Sequence, residues 1–545
     1  MNDIINILKK KKLQFVFLFY ILLLGPILAL FLAENYTLID KALLLSVCVL
    51  LFAAISAICT FVSPRTEKII YSTILIFAII PGSIYLGYLL FAHVMLEQNS
   101  VMSLFETNPE ESKEFLAHYM NIWVIVGILI YAAIPIIMIC KMKSIPPLKG
   151  KGHRWIITLS ILIIIAIVGI EKVSRSVYFI NIYRSFITYQ IRVDREINTI
   201  KKRQDIPFEV KSLTDTVPQT VVLVIGESLT RHHMSLYGYE RETNPLLSQY
   251  NDSALLVYEN ITSPQVHTIP VLRDVLSMCE TDHPEYFEER PSLIELFNCS
   301  GYDTYLISNQ PFSEKCHSSY DILLTLAKYK YNFAPQKQYD KIVLIALDEI
   351  LKEKNKKNKF ILIHLIGNHM AYEFRYPYTY NKFDHTVDGK VKDKPFRKNA
   401  AKRMIDRYDN SVLYNDYIVD SIIQNLIKTG NDNSTMIYFS DHGEELYDYR
   451  VFAGHVYEKA SPTMCEIPFI VWMSPQYRNK RKHLVFDSKR PYSIGDFIYS
   501  ISDLSGFEYE GFDKSRSIFS PDFKPQKRYV GEKNYEEIKN KFSTE

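Results

Sequence analysis

Long uncharged runs, more than any other feature, limit what this chain can fold into. Five of them, at residues 13–33, 42–62, 69–95, 120–140 and 155–170, contain no Asp, Glu, Lys or Arg. A helix needs about 20 apolar residues to cross a hydrocarbon core. All five are read as membrane spans, the fifth being the shortest. No small-residue cleavage site follows the first run and four further runs do, so an uncleaved anchor is expected rather than a signal peptide.

Basic residues flanking membrane spans stay on the cytoplasmic side. Here they cluster at Lys9, Lys10, Lys11 and Lys12, at Arg65 and Lys68, and at Lys141, Lys143, Lys149, Lys151 and Arg154. The intervening loops carry Glu34 and Asp40, then Glu97, Glu106, Glu110, Glu111 and Glu114 against Lys113. The N-terminus is therefore expected in the cytoplasm, and everything after an odd number of spans outside. Net charge is only +3 over 545 residues, which gives no reason to expect nucleic acid as a partner. Cys279, Cys299, Cys316 and Cys465 fall in the exported part, where disulfides are permitted; four cysteines allow three pairings, and a reduced state remains open.

Residues 1–171 are thus a transmembrane domain of five helices, 172–215 a connector and 216–545 an exported domain. The connector is rich in Tyr, Phe, Arg and Lys, which suits a helix lying in the headgroup layer. An amphipathic helix packed on the exported domain is equally compatible. From residue 220 short β-branched or aromatic runs, at 221–225, 304–307, 360–365, 435–439 and 467–472, alternate with helical segments at 342–354 and 404–429. This pattern predicts an α/β domain whose largely parallel sheet is covered by helices on both faces. The segment 376–399 is expected to be a mobile or acceptor-facing loop.

Open parallel sheets bind their ligands at the carboxyl ends of strands. Here those ends read Gly226-Glu227-Ser228, Gly367-Asn368-His369 and Ser440-Asp441-His442-Gly443-Glu444. Glu, Asp and His are ligand types that Zn²⁺ accepts, and a glycine beside each is expected to let the backbone turn tightly. Thr268, ahead of Pro270, opens a helix expected to run to residue 278. A hydroxyl at such a helix start can serve as a nucleophile beside a metal, or can simply be an N-cap.

Gly226-Glu227-Ser228, followed by Arg231, Met234-Ser235-Leu236-Tyr237-Gly238-Tyr239 and Arg241-Glu242-Thr243-Asn244-Pro245, resembles the signature of the membrane-anchored phosphoethanolamine transferases. These belong to the alkaline phosphatase and sulfatase superfamily. They include lipid A transferases, mobile colistin-resistance enzymes and relatives acting on lipopolysaccharide core sugars or periplasmic glucans. The resemblance covers the anchor and essentially the whole exported domain. It implies a bacterial inner-membrane protein with a periplasmic alkaline-phosphatase/sulfatase-like domain.

Position by position, the resemblance implies that Glu227, Thr268, Asp441 and His442 hold Zn²⁺ and that Thr268 is the nucleophile modified by phosphoethanolamine. One zinc site is implied, with a second allowed. His369 and His455 match histidines that bind substrate or a second zinc, Lys315 falls near a substrate-contacting lysine, and Thr107 and Glu111 match residues near the donor headgroup. The implied donor is phosphatidylethanolamine, a membrane lipid, and the implied acceptor is lipopolysaccharide or a related envelope glycan. A monomer is expected. Where lipid A enzymes carry a Cys before the nucleophile, and a small residue next to it, this chain departs and has His267. That departure points toward a core-sugar acceptor. The competing readings are phosphoglycerol transfer or phosphodiester hydrolysis on the same fold, and a non-enzymatic envelope-assembly protein.

Overall fold

The computed structural model describes residues 10–542 apart from 98–99, 103–104, 106–112, 114–121, 149–151, 204–207, 213–216, 252–253, 281–282, 317, 337, 354–356, 390–393 and 431. The chain divides into two compact units, residues 1–191 and 192–545.

The first unit is helical because its apolar runs can satisfy their backbone only internally. Helices α1 (Lys12–Leu32), α2 (Leu38–Phe61), α3 (Pro64–Ala92) and α4 (Ile122–Lys141) are long and apolar enough to cross a membrane. The fifth apolar helix, α5 (His153–Gly169), has 17 residues. At about 1.5 Å per residue it is roughly 25 Å long, short of the roughly 30 Å of a hydrocarbon core. The expected five full-length spans thus become four long helices and one shorter apolar helix among the described residues. Polar caps fix the helix starts: Thr37 and Asp40 form a capping box on α2, and the Ser63 side chain accepts from Thr66 N ahead of Pro64 on α3. Lys11 is buried, and its Nζ donates to Cys59 O at 2.6 Å and to Glu67 Oε2 at 2.8 Å. Tyr71 donates to the other oxygen of Glu67 at 2.9 Å.

Helix α6 (Tyr178–Arg203) carries the connector. Tyr178, Ile182, Ser185, Tyr189, Val193, Glu196, Ile200 and Arg203 are buried, at the three- and four-residue spacing of one helix face. Tyr183, Phe186, Ile187 and Ile191 are exposed large hydrophobics. Its turns from residue 192 onward belong to the second unit.

The second unit is built on a seven-stranded sheet. Its strands are β1 (Thr220–Gly226), β2 (Leu255–Tyr258), β3 (Asp303–Ser308), β4 (Tyr329–Asn332), β5 (Lys359–His364), β6 (Ser434–Ser440) and β7 (Phe469–Met473), in the order β2-β7-β6-β1-β5-β3-β4. Five neighbouring strands, β6, β1, β5, β3 and β4, run parallel, and β7 is antiparallel to both β6 and β2. The sheet is mixed at one edge. Every residue of β1, β3, β5, β6 and β7 is buried. Successive side chains point to opposite faces, so both faces are covered. The helices that matter for the site are α7 (Thr268–Val275), α8 (Leu293–Cys299), α9 (Ser319–Thr325), α10 (Val343–Lys352) and the 30-residue α11 (Asn399–Lys428). Segment 376–399 is not a plain loop: it includes one turn of helix at Tyr378–Tyr380 and another at His385–Asp388.

Parallel register sets the site. Gly226 pairs with Ser440, and Ile225 pairs with both Phe439 and His364. The ends of β1, β6 and β5 are therefore level, and the residues that follow them emerge in one row.

Helix α11 grips the loop after β1. Tyr408 donates to Ser228 O at 2.7 Å and accepts from Thr230 N at 3.0 Å. Arg241, fully buried, donates to Asp409 Oδ2 and Asp406 Oδ1, each at 2.6 Å. His233 Nδ1 lies 2.6 Å from Asp409 Oδ1, and Tyr239 donates to Asp409 Oδ2 at 2.8 Å. Leu246 N and Leu247 N donate to Asp416 at 2.8 and 3.2 Å. The residues that carry much of the sequence signature are thus a buried charge network.

Burial opposes a charge on His233, but Asp409, helped by Asp448, raises its pKa to about 9. A raised histidine pKa stabilises the fold fully below the unfolded value near 6.5, and that contribution is lost as pH rises through about 9. Thermal unfolding in detergent should therefore show a decline between pH 6 and 9 of which roughly 3 kcal/mol or less comes from this residue, a part that His233→Gln removes. Asp409→Ala, which removes one of the two carboxylates on Arg241 and the nearer one on His233, is expected to cost about 3–5 kcal/mol at pH 7.

Candidate active site

Level strand ends bring Glu227, after β1, beside Asp441 and His442, after β6. His442 Nε2 lies 3.3 Å from Glu227 Oε1 and 3.4 Å from Asp441 Oδ2. His442 Nδ1 is 2.9 Å from Gly443 O. A carbonyl only accepts, so Nδ1 carries a proton and the Nε2 edge is the one that faces the carboxylates. All three side chains are buried.

Thr268 joins this cluster. Its Oγ1 donates toward Glu227 Oε1 and Oε2 at 3.2 and 3.1 Å, and lies 3.4 Å from His442 Nε2. The N-cap of α7 is His267, whose side chain makes no capping hydrogen bond, and Thr268 is the first helical residue. Thr268 is therefore not the cap of this helix, and its hydroxyl is turned to the carboxylate.

Electrostatics inside the cluster are strongly unbalanced. Burial opposes charge on Glu227, yet a hydrogen bond from His442 and the nearby His369 and His364 hold its carboxyl well below the usual range. Burial and the Glu227 charge push Asp441 up. Burial likewise opposes charge on His442, but Asp441, Glu227 and the Gly443 carbonyl raise its pKa to about 10. Asp441 Oδ2 is buried without a hydrogen-bond partner, while Oδ1 accepts from Ser228 N at 3.0 Å and His442 N at 2.6 Å. A buried carboxylate oxygen left bare beside a second carboxylate is what a cation would occupy. One ligand atom each from Glu227, Asp441 and His442 lie within 4.8 Å of one another, and the same holds for His442, Glu444 and His455. The donor set fits a zinc-type ion.

His455 is brought to the same place. Its ring centroid is 4.1 Å from that of His442, and its Nδ1 is 2.7 Å from Glu444 Oε2. Tyr372 donates to Glu444 Oε1 at 2.7 Å, fixing that carboxylate. Burial and the neighbouring His442 lower the His455 pKa. His369 follows the turn after β5, close enough to favour charge on Glu227. Lys315 is exposed on the loop between β3 and α9. Thr107 and Glu111 lie outside the described residues. Cys279, Cys299, Cys316 and Cys465 are free thiols.

Two site residues escaped the sequence reading. Gln310 Nε2 donates to Glu227 Oε2 at 3.1 Å, and His364, the last residue of β5, lies 2.5 Å by its Nδ1 from Tyr320 Oη. Both sit at strand ends, so the rule that pointed to Glu227 would have found them.

The role expected of the glycines also changes. Of Gly226, Gly367 and Gly443 at the strand ends, Gly367 has positive φ, at 51°; Gly454, before His455, has φ 125°, and Ser228 is left-handed at 54°. Gly443 is required by space: a Cβ there would lie 2.2 Å from Thr463 O. At Gly367 both reasons coincide, since a Cβ would meet Glu227 N at 2.7 Å. Asp340 holds this turn by accepting from Ile366 N, Gly367 N and Asn309 Nδ2, each at 2.9 Å.

A mixed α/β sheet with acidic and histidine side chains converging at its parallel strand ends defines a sulfatase-type enzyme domain, and the family described as Sulfatase matches residues 219–507. The family described as Phosphoethanolamine transferase EptA/EptB matches residues 51–185. Phosphoethanolamine transferase EptC of Escherichia coli K12 is 29% identical over 513 residues, covering 88% of each chain. The Kdo(2)-lipid A phosphoethanolamine 7''-transferase of the same strain is 24% identical over 455 residues, 76% of each. The crystal structure of the C-terminal periplasmic domain of E. coli EptC is 34% identical, with a TM-score of 0.56, covering 60% of this chain and 93% of that one; the domain has also been solved in complex with Zn. The integral membrane lipooligosaccharide phosphoethanolamine transferase A of Neisseria meningitidis shares the fold, with a TM-score of 0.70 at 20% identity over 93% of this chain and 98% of that one. This chain belongs to the phosphoethanolamine transferases, sulfatase-type enzymes with an N-terminal membrane anchor.

Gly367→Ala is expected to lower turnover more than tenfold by displacing Glu227. Gly389, at φ 61° with nothing within 4 Å of an added Cβ, is the control. Its alanine variant should pay only left-handed strain of about 1–2 kcal/mol and keep activity within twofold, as read from turnover and thermal unfolding of the two proteins side by side.

Proposed function

We propose that this enzyme transfers phosphoethanolamine from phosphatidylethanolamine to an envelope glycolipid, with a lipopolysaccharide core sugar favoured over lipid A, through a covalent adduct on Thr268. The observation that carries the reading is the Thr268 hydroxyl, donated to Glu227 rather than used to cap its own helix. Phosphatidylethanolamine is the donor because a diacyl lipid leaves a bilayer only at about 0.8 kcal/mol per methylene, which gives an anchored enzyme its purpose. The anchor is taken as residues 1–171, an interfacial connector as 172–215 and the catalytic domain as 216–545. Flanking charge supports a cytoplasmic N-terminus and a periplasmic catalytic domain in the bacterial inner membrane.

Glu227, Thr268, Asp441 and His442 would hold Zn²⁺, a choice supported by the bare Asp441 Oδ2 and the Nε2 edge of His442. Zinc bound there supplies Lewis acidity to a phosphoryl oxygen and lowers the pKa of a nearby hydroxyl. Attack joins Thr268 Oγ1 to phosphorus and breaks the bond to the glycerol oxygen, releasing diacylglycerol. The hydroxyl proton passes to Glu227, which already accepts its hydrogen bond. The leaving glycerol oxygen takes a proton from His369 or His455. In the second half an acceptor oxygen displaces Thr268 from phosphorus, the same histidine takes up the acceptor's proton, and Glu227 returns its proton to the Thr268 oxygen. The uncapped start of α7 favours the negative charge of the phosphoryl group. Lys315, Thr107 and Glu111 are assigned to substrate binding, and the enzyme to a monomer.

Thr268→Ala should abolish transfer with a stability change within about 1 kcal/mol, while Thr268→Ser keeps part of the activity. Wild-type protein given donor without acceptor should carry a phosphoethanolamine mass on the Thr268 peptide. An alanine variant that still modifies its acceptor would overturn the covalent route. Asp441→Asn and Glu227→Gln should lower bound zinc, measured by elemental analysis, whereas His369→Ala and His455→Ala should lose turnover with most zinc retained. The reverse pattern would exchange the roles of the two groups.

A further inference from the structure

Helix α7 holds Thr268 but has little means of holding itself. Its eight residues are too few for a helix to be stable alone. The N-cap side chain contributes no capping bond, and the one hydroxyl at the start of the helix is engaged with Glu227. Val271, Leu272 and Val275 are buried and seat the helix, and its far half adds a directional tie. There Arg273 donates to Glu196 Oε1 from Nε at 3.0 Å and from Nη2 at 2.6 Å. Arg273 Nη1 contacts Cys279 Sγ at 2.7 Å, and the guanidinium lies 5.0 Å from the centre of the Phe287 ring. Glu196 belongs to α6 and is 0% exposed, and its second oxygen accepts from Ser319 Oγ on α9. One buried carboxylate therefore ties three helices together.

We propose that Glu196 is a positioning residue for Thr268, acting through Arg273. The proposal rests on Thr268 being the nucleophile. Both partners are largely withdrawn from water, so the two-pronged contact has one favourable geometry rather than many. The lever is long. Five residues of helix between Arg273 and Thr268 span about 7.5 Å, so a tilt of roughly 8° about Arg273 displaces the hydroxyl by about 1 Å. A misplacement of about 1 Å is enough to slow a reaction on the order of a hundredfold. Neighbouring turns of α6 are held to the same unit: Arg203 pairs with Glu295 at 2.9 and 2.8 Å and donates to Phe287 O and Glu288 O at 3.1 and 3.0 Å. The frame behind Glu196 is thus fixed, and the ion pair transmits its position to α7.

The test uses the full-length enzyme in detergent, with a small activated phosphoethanolamine ester as substrate, and reads the rate of adduct formation on Thr268, KM and bound zinc. Glu196→Gln should slow adduct formation at least tenfold per zinc-loaded molecule with KM within twofold of wild type. Glu196→Asp, which keeps the charge, should recover part of that loss. Ser319→Ala leaves the ion pair intact and should stay within threefold of wild type. Wild-type adduct formation in Glu196→Gln overturns the proposal, as does a loss in Ser319→Ala equal to that in Glu196→Gln, or a loss that merely follows zinc content. If Glu196→Gln does not accumulate as folded protein, Arg273→Lys, which keeps the charge and loses the fork, carries the test at the same thresholds. Thr268→Ala is run alongside: turnover that survives it removes the nucleophile reading itself, whereas turnover lost there but unchanged in Glu196→Gln removes only the positioning role.

Discussion

Two carboxylates share one buried pocket, and much of the second unit is arranged around that fact. Glu227 and Asp441 emerge beside each other because β1 and β6 are parallel and in register, with Gly226 opposite Ser440. Neither side chain reaches solvent. Like charges at this range oppose each other, and the sheet leaves them no room to separate. The structure responds with asymmetry, holding Glu227 ionised, driving Asp441 toward its proton and drawing positive charge onto His442. A divalent cation resolves the same conflict more completely, which is why the pocket reads as a metal centre.

Around this pair, each contributing segment is held by a further buried acid. Asp340 fixes the turn after β5, Asp409 the loop after β1, and Glu444 the ring of His455. Charge-assisted hydrogen bonds of this kind fix direction as well as distance. The site is a row of strand ends whose loops have been individually tied down, and only a few of the tying residues touch the reacting groups.

The sequence disclosed those parts of the fold that depend on local pattern. Continuous β-branched runs such as Val221-Val222-Leu223-Val224-Ile225 can only be buried strands, and the residues after them had to face a common edge. The edge strands are harder to read: in β4 Tyr329, Lys330 and Asn332 are exposed and no apolar run marks it, while β2 is an apolar run of only four residues, Leu255-Leu256-Val257-Tyr258. Thr268 could be placed on a helix start but not assigned a direction, since cap and nucleophile differ only in where the hydroxyl points. Glu196 left no trace at all. It lies 77 residues from Arg273, and nothing in a charged, aromatic connector singles out one buried glutamate. Length alone separated the fifth apolar helix from the other four.

The Lys11–Glu67 pair bears on how the anchor is made. A lysine buried at the start of the first helix is costly until its partner arrives, and that partner is 56 residues further along, on the third. The ribosome has therefore delivered α1 and α2 before the charge at the head of α1 can be neutralised. Until α3 is present, the hairpin of α1 and α2 carries a lysine without its carboxylate partner. The pair therefore makes the first helix's buried charge depend on the third, so the anchor's head is complete only when both are in place.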